Sequence, residues 1–215
     1  MQISWNGLGS FVLQGKPIAG EVALVTDPYQ NSVGLRFPRT LSAALVLESH
    51  DAEEANNVES ISGEEKKKPF LISHAGEYEV QGIFVSGIHA PKKDGTPHTI
   101  FRIRLEDISI AFLGAIDRKL TDKEIGALGD IDILIVPVGG GSVLDKDRAA
   151  EVVAQVEPRM VIPSYFHVAG LKQKLADVEG FCKEVSCPRE DVNKLKVTRN
   201  DLPEEDIVVR VLSRG

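Results

Sequence analysis

The chain has 215 residues, of which 42% are hydrophobic and 27% are charged. This composition excludes a disordered, collagen-like or coiled-coil protein, and the length suits one domain spanning residues 1–215. The formal net charge of −7 disfavours a surface that binds the phosphates of nucleic acids or anionic lipids, so we expect no nucleic-acid partner and no membrane partner.

The first residues lack the basic and apolar segments of a secretory signal, and no apolar stretch is long enough to span a bilayer. We therefore expect a cytoplasmic protein. The two cysteines, Cys182 and Cys187, have four residues between them, which fits neither a redox pair nor half of a four-cysteine zinc site. We expect both to be ordinary thiols.

Short apolar and alternating runs in the first half of the chain predict strands joined by turns. Gly7-Leu8-Gly9 and Glu106-Asp107 predict hairpin turns, Gly82 and Gly87 predict bends, and the charged run at residues 64–68 predicts a solvated loop. The predicted strands cover residues 3–5, 10–13, 22–26, 44–47, 70–72, 78–88, 98–105 and 108–113.

Helices alternate with strands after residue 120. Thr121 followed by Glu124 is a capping box, which predicts a helix start. Apolar spacing predicts further helices over residues 147–156 and 171–185, and apolar runs predict strands over residues 131–138, 160–163 and 207–212. This order of elements predicts an α/β fold in which packed sheets are covered by helices.

A cluster of candidate metal ligands follows the strand at residues 44–47. His50 is succeeded by Asp51, Glu53 and Glu54, and loops at strand ends commonly gather metal ligands in hydrolases. These carboxylates favour Mg²⁺, Mn²⁺ or Ca²⁺ over Zn²⁺. The same residues also fit a solvated acidic helix start, because carboxylates suit a helix N-terminus.

Two other catalytic or binding motifs are excluded. The glycines at residues 139–141 lack the Lys-Ser/Thr of a phosphate-binding loop and the spacing of a dinucleotide fingerprint. No Gly-x-Ser-x-Gly nucleophile elbow is present, and Ser49 and His50 are merely sequential.

Several short motifs resemble the metallo-β-lactamase superfamily, and in particular a small group of its Zn-dependent hydrolases. The resemblance covers about residues 1–167, and it rests on Trp5-Asn6-Gly7, Thr26-Asp27-Pro28, Ser49-His50-Asp51, Gly76-Glu77-Tyr78-Glu79-Val80 and Pro137-Val138-Gly139-Gly140-Gly141. It implies a four-layer αββα sandwich with a dinuclear metal site where the strands end.

The resemblance also implies which positions hold the metal ligands, and most of these are substituted. The His-x-His-x-Asp-His signature falls on residues 50–55, where His50 is retained, Ala52 and Ala55 replace histidines, and Glu54 replaces the aspartate. The remaining ligand positions fall on Lys93, Ala115 and Tyr165.

An alanine methyl group has no lone pair, so these substitutions favour a pseudoenzyme with a degenerate metal site and no cofactor. On this interpretation the protein is a non-catalytic scaffold for an unknown small molecule or protein, and its residual pocket comprises His50, Asp51, Glu54, Asp27, Tyr165 and His167.

Two alternatives stay open. One is a hydrolase of phosphoester, lactone or amide bonds, with a single Zn²⁺ or Mn²⁺ ion held by His50, Glu54, Asp117 and His167. The other is a structural or oligomerisation module.

Overall fold

The computed structural model describes residues 1–17, 20–63, 67–186 and 189–215. These residues form fourteen strands: β1 (Gln2–Gly7), β2 (Ser10–Gly15), β3 (Val22–Thr26), β4 (Leu45–Leu47), β5 (Phe70–Ile72), β6 (Gly76–Val80), β7 (Ile83–His89), β8 (Thr99–Leu105), β9 (Ile108–Phe112), β10 (Ile133–Pro137), β11 (Met160–Ser164), β12 (Arg189–Val192), β13 (Leu195–Lys196) and β14 (Val208–Leu212). They also form three α-helices: α1 (Asp122–Leu128), α2 (Lys146–Val156) and α3 (Val178–Val185).

The strands form two sheets. The six-stranded sheet has the order β13-β1-β2-β3-β4-β5, and the eight-stranded sheet has the order β12-β14-β11-β10-β9-β8-β7-β6. Antiparallel hairpins build one part of each sheet, whereas β3, β4 and β5 run parallel, as do β9, β10, β11 and β14. Both sheets are therefore mixed.

Side chains alternate between the two faces along the strands of the six-stranded sheet, and the apolar side chains on each face belong to a different cluster. Leu13, Leu24 and Leu45 belong to the main core cluster, which also holds residues of the eight-stranded sheet. Their neighbours Val12, Val25 and Val46 point to the opposite face and belong to a second cluster, which we call the outer cluster. Side chains alternate across a strand, so one sheet serves two packing layers.

Helices cover the eight-stranded sheet, where α2 packs against β10 and α3 packs against α2. The outer face of the six-stranded sheet is covered instead by the chain around Tyr29 and Phe37, with short 3₁₀ turns at Asn31–Val33 and Val58–Ser60. Two sheets flanked by these covering layers confirm the predicted α/β sandwich.

The local turn and cap predictions hold at several positions. Glu106 and Asp107 have φ angles of 53° and 60° in the turn between β8 and β9, and Gly82 has a φ angle of 83° between β6 and β7. Thr121 and Glu124 form the predicted capping box of α1.

Gly87 does not form the predicted bend. It lies within β7, opposite Phe101 of β8 and Gly76 of β6. A side chain at Gly87 would collide with the backbone of His74. Close approach of two backbones therefore explains this glycine.

The helix predicted over residues 171–185 is shorter than its apolar spacing indicates. It begins at Val178, and Leu175 precedes it and is buried in the outer cluster. The charged loop predicted at residues 64–68 falls partly outside the described residues, because Glu64, Glu65 and Lys66 are not among them, and the same holds for Cys187.

Within the described ranges, no helix combines the length and the apolar character needed to cross a membrane.

Candidate functional site

Two neighbouring strand ends bring the candidate residues together. β3 and β4 run parallel and pair directly, so the segments that follow them leave the sheet at the same edge. Asp27 follows β3, and Ser49 and His50 lie just beyond β4. Asp27 and Ser49, which are 22 positions apart in sequence, therefore lie together at the ends of two paired strands.

Asp27 holds these two strand ends together. Its carboxylate is fully buried, and its oxygens accept hydrogen bonds from the Ser49 backbone N–H and the Ser49 hydroxyl, both at 2.7 Å. Burial raises the pKa of Asp27 from 3.8 to about 7, although His50 and the bonds from Ser49 oppose the rise. Asp27 consequently titrates near neutral pH.

His50 continues a row of polar groups from Asp27 to Glu54. Its Nδ1 lies 2.9 Å from Ser49 Oγ, and its Nε2 lies 3.4 Å from Glu54 Oε1. The second distance is within ion-pair range, but Nε2 has no partner with hydrogen-bond geometry in the described chain. The nearby imidazole lowers the pKa of Glu54, while burial opposes this change.

His98 lies beside this row and is 2% exposed. The His50 and His98 ring centroids are 5.7 Å apart, and neither ring nitrogen of His98 has a hydrogen-bond partner among the described residues. Burial lowers the pKa of His98 well below 6.5, and the charge of His50 adds to this effect. His98 is therefore neutral at neutral pH.

Glycine at position 114 permits this packing. Gly114 has a φ angle of 55°, and a Cβ atom there would collide with the Ser49 side chain and would lie 2.9 Å from His98 Nε2. Both its backbone conformation and the available space favour glycine.

Tyr165 closes the other side of Asp27. A Cβ atom on Gly9 would lie 2.8 Å from Tyr165 Cε2 and 2.9 Å from Asp27 Oδ2, so both side chains press on the Gly9 backbone. The Tyr165 hydroxyl is buried and has no hydrogen-bond partner in the described part of the chain. Burial, together with the negative charges of Asp27 and Glu54, raises its pKa well above 10.

The positions that the family resemblance assigns to metal ligands lie in different environments. Ala55 and Ala115 are fully buried, and Ala115 and Tyr165 both belong to the outer cluster. Ala52 is partly exposed, whereas Lys93 is exposed. Two of these positions thus form part of an apolar core.

Asp117 and His167 stand apart from the buried row. Asp117 Oδ1 accepts a hydrogen bond from the Lys93 backbone N–H at 2.9 Å. His167 is exposed, and its backbone N–H donates to the Ala176 carbonyl at 2.9 Å. The structure therefore groups Asp27, His50, Glu54 and Tyr165 but leaves His167 at the surface.

A cleft of about 480 Å³ opens beside His50 and His98, and we call it the histidine cleft. Four of the five histidines in the chain line it. The buried His50 and His98 lie deepest, while Asp51, His74 and His89 are exposed at its rim. The full lining comprises Glu48, Ser49, His50, Asp51, Ser73, His74, Ala75, His89, Pro97, His98 and Thr99.

Several lining residues of this cleft could not be identified from the sequence. His98 begins the strand predicted over residues 98–105, but no sequence feature indicates its burial; in the structure it is 2% exposed and directly precedes β8. His74 makes a local contact, because its Nδ1 lies 2.8 Å from Ser73 Oγ. The available signal was the concentration of four of the five histidines between residues 50 and 98.

The residues present do not fit a metal centre of the kind that the family resemblance implies. A catalytic zinc ion needs about three protein ligands and a water molecule. No group of three or more His, Cys, Asp or Glu side chains could hold a metal ion in residues 1–17, 20–63, 67–186 and 189–215. His50 and Glu54 provide two donors, and the buried Ala55 and Ala115 provide none.

Comparison with known proteins agrees with this architecture. The chain is 26% identical over 211 residues to a UPF0173 metal-dependent hydrolase of Thermoplasma acidophilum, and the match covers 84% of this chain and 89% of the relative. It resembles a structure from Thermotoga maritima classed among the Zn-dependent hydrolases of the metallo-β-lactamase superfamily, with a TM-score of 0.79, 26% identity and 99% of each chain covered.

A third match is Igni18, a metallo hydrolase of Ignicoccus hospitalis, with a TM-score of 0.68 and 17% identity, covering 100% of this chain and 95% of Igni18. At this identity the likeness concerns the fold alone. A family model described as a beta-lactamase superfamily domain matches residues 2–165, which is more than half of the chain. The chain therefore belongs to the metallo-β-lactamase superfamily.

Proposed function

We propose that this chain is a non-catalytic member of the superfamily that has lost the dinuclear metal site and binds a small ligand or a partner through the histidine cleft. The observation that carries the proposal is the packing of Ala115 and Tyr165. Both occupy positions that the family resemblance assigns to metal ligands, and both are fully buried in the apolar outer cluster. An ion placed beside them would meet the methyl group of Ala115 and the phenol of Tyr165, which keeps its proton because its pKa is raised well above 10.

The energetic consequence is large. Structural zinc sites can contribute roughly 10–16 kcal/mol, and that binding energy depends on several deprotonated ligands converging on the ion. A dinuclear hydrolase site also needs a bridging ligand between ions about 3.5–4 Å apart. Ala115 lies at the position expected for the bridging carboxylate and has no oxygen to offer.

Hydrolase assays of the full chain test this proposal. The protein is incubated with Zn²⁺ or Mn²⁺ and with chromogenic phosphoester, lactone and amide probes. We expect no turnover above that of the metal ion alone, because no set of protein groups binds the ion and orients a water molecule. Metal-stimulated turnover that requires the folded protein would overturn the proposal.

A second candidate function is a hydrolase that uses one metal ion. It is favoured by the 3.4 Å contact between His50 Nε2 and Glu54 Oε1 and by the relatives that are named metal-dependent hydrolases. This candidate predicts turnover that His50→Ala abolishes. Glu205→Gln is the matched control, because Glu205 is exposed and lies outside the site.

The proposal treats residues 1–215 as one domain that acts in the cytoplasm. The main core cluster supports the first part, since it contains residues from both ends of the chain, such as Ile3 and Leu212. The cytoplasmic location stays a prediction.

A further inference from the structure

We propose that the histidine cleft binds a small organic cation, namely an amine or guanidine that also carries a second hydrogen-bonding group. This inference rests on the proposed function, because it names the chemical class of the ligand that a non-catalytic scaffold would hold. It depends on three independent features of the cleft: its unpartnered imidazoles, its charge and its size.

The unpartnered imidazoles are the first feature. His98 is 2% exposed, and both of its ring nitrogens lack a hydrogen-bond partner in the described chain. Ala90 makes a weak backbone contact that opposes the lowering of the His98 pKa, but this contact lacks hydrogen-bond geometry. A neutral imidazole offers one donor and one acceptor, and both ring nitrogens of His98 are available for these roles, whereas His50 Nε2 already faces Glu54 Oε1 at 3.4 Å. Buried polar groups are normally paired, so the deep end of the cleft suits a polar ligand group.

The charge of the lining is the second feature. Glu48 and Asp51 line the cleft, and no lysine or arginine does so among its described lining residues. Lys92 and Arg118 act on His98 from outside the lining, and protonated His50 acts from within it; Arg118 is already paired with Glu124 at 2.7 Å. An anionic ligand would meet two carboxylates, whereas a cationic ligand would be attracted to them.

The size of the cleft is the third feature. Its volume of about 480 Å³ lies within the range of roughly 300–1,000 Å³ that is typical of small-molecule sites. A single metal ion would fill little of this space, and no three metal-binding side chains converge in the described ranges. An organic molecule can instead reach both the buried histidines and the carboxylates.

The binding test uses agmatine, which carries an amine and a guanidine, and glutarate, which is a dianion of comparable length. Calorimetric titration of the full chain should give saturable binding of one agmatine molecule and no binding of glutarate. In NMR spectra of the histidine side chains, agmatine should shift the ring signals of His50 and His98. The exposed His167 provides an internal control, because its signals should not move.

Charge-neutralising variants test the role of the carboxylates. The double variant Glu48→Gln/Asp51→Asn should bind agmatine at least about tenfold more weakly, because it removes both negative charges that line the cleft. Glu205→Gln removes one exposed carboxylate elsewhere and should change the affinity by less than about twofold. Circular dichroism of each variant shows that the comparison is made between folded proteins.

Three results would overturn the inference: no binding of agmatine or of the longer amine spermidine, tighter binding of glutarate, or Zn²⁺ rather than an amine shifting the His98 signals. These failures are distinguishable from failure of the proposed function. If no amine binds and no metal-dependent turnover is found, only the inference of a cation-binding cleft is rejected. Metal-dependent turnover of the folded chain removes the proposed function.

Discussion

At the scale of single residues, Gly9 lies where one added methyl group would destabilise the folded protein. Gly9→Ala would place Cβ 2.8 Å from Tyr165 Cε2 and 2.9 Å from Asp27 Oδ2. Both neighbours are fully buried and cannot move freely, so we expect a loss of about 1–3 kcal/mol in the free energy of unfolding. Urea denaturation followed by circular dichroism measures this change.

Gly126→Ala is the matched control for this substitution. Gly126 lies in α1 and is exposed, and an added Cβ would have no atom within 4 Å apart from the neighbouring residues and backbone of its own helix. The same chemical change should therefore stabilise the protein by up to about 1 kcal/mol, through helix propensity alone. Equal effects at the two positions would show that the contacts around Gly9 are not tight.

Asp27 should make stability depend on pH in an unusual direction for a carboxylate. The ordinary pKa of an aspartate is 3.8 and the pKa of Asp27 in the folded protein is about 7, so the folded state binds the proton more tightly. The contribution of this tighter proton binding to the free energy of unfolding is fully present below pH 3.8 and is lost as the pH rises through 7. At about 1.36 kcal/mol per pH unit, the loss between pH 5 and pH 8 is about 2–3 kcal/mol.

Asp27→Asn removes this titration and isolates its contribution. The variant should be less stable at pH 5, where Asp27 is protonated, because the amide nitrogen that replaces one carboxyl oxygen cannot accept a hydrogen bond from Ser49 and brings a second N–H donor. Its loss of stability between pH 5 and pH 8 should nevertheless be smaller than that of the natural chain by about 2–3 kcal/mol. Identical pH slopes in urea denaturation would refute a raised pKa for Asp27.

At the scale of elements, the start of α1 depends on its capping box. The Thr121 hydroxyl accepts from the Glu124 backbone N–H at 3.3 Å, and Glu124 Oε2 accepts from the Thr121 backbone N–H at 2.8 Å. Thr121→Ala should reduce the free energy of unfolding by about 1 kcal/mol, whereas Thr121→Ser should retain most of it. Thermal denaturation of the two variants checks this, and equal losses would contradict the role of the hydroxyl.

Elements with local signals could be predicted from the sequence, and elements that depend on distant partners could not. The turn at Glu106 and Asp107 and the cap at Thr121 rely on residues close in sequence. By contrast, β12 (Arg189–Val192) is polar and shows no apolar alternation, and it exists because it pairs with β14. The predicted helix began too early because Leu175 fits the apolar spacing of α3 but lies before the helix, where it packs in the outer cluster.

At the scale of the whole molecule, the fold could be predicted but the arrangement of the site only in part. The order of strands and helices and the family motifs predicted the sandwich. The burial of His98 and the hydrogen bonds between Asp27 and Ser49 depend on how two strand ends and β8 meet. No short sequence pattern indicates these contacts between distant segments, so the histidine cleft could not be predicted from the sequence.

The continuity of the core leads to a prediction for the unfolding of residues 1–215. The main core cluster joins residues of both sheets and both chain ends, as the inclusion of Ile3 and Leu212 illustrates. We expect calorimetric unfolding to show one cooperative transition, with equal calorimetric and van't Hoff enthalpies. Two separate transitions would indicate that residues 1–215 do not form one domain.

The zinc content of the purified full chain tests the loss of the metal centre most directly. The protein is dialysed against Zn²⁺ and then against chelator-free buffer, and its zinc is measured by elemental analysis. We predict well below one equivalent per chain, because His50 and Glu54 are two donors and the buried Ala55 and Ala115 supply none. Retention of one or more equivalents that His50→Ala abolishes would contradict this prediction.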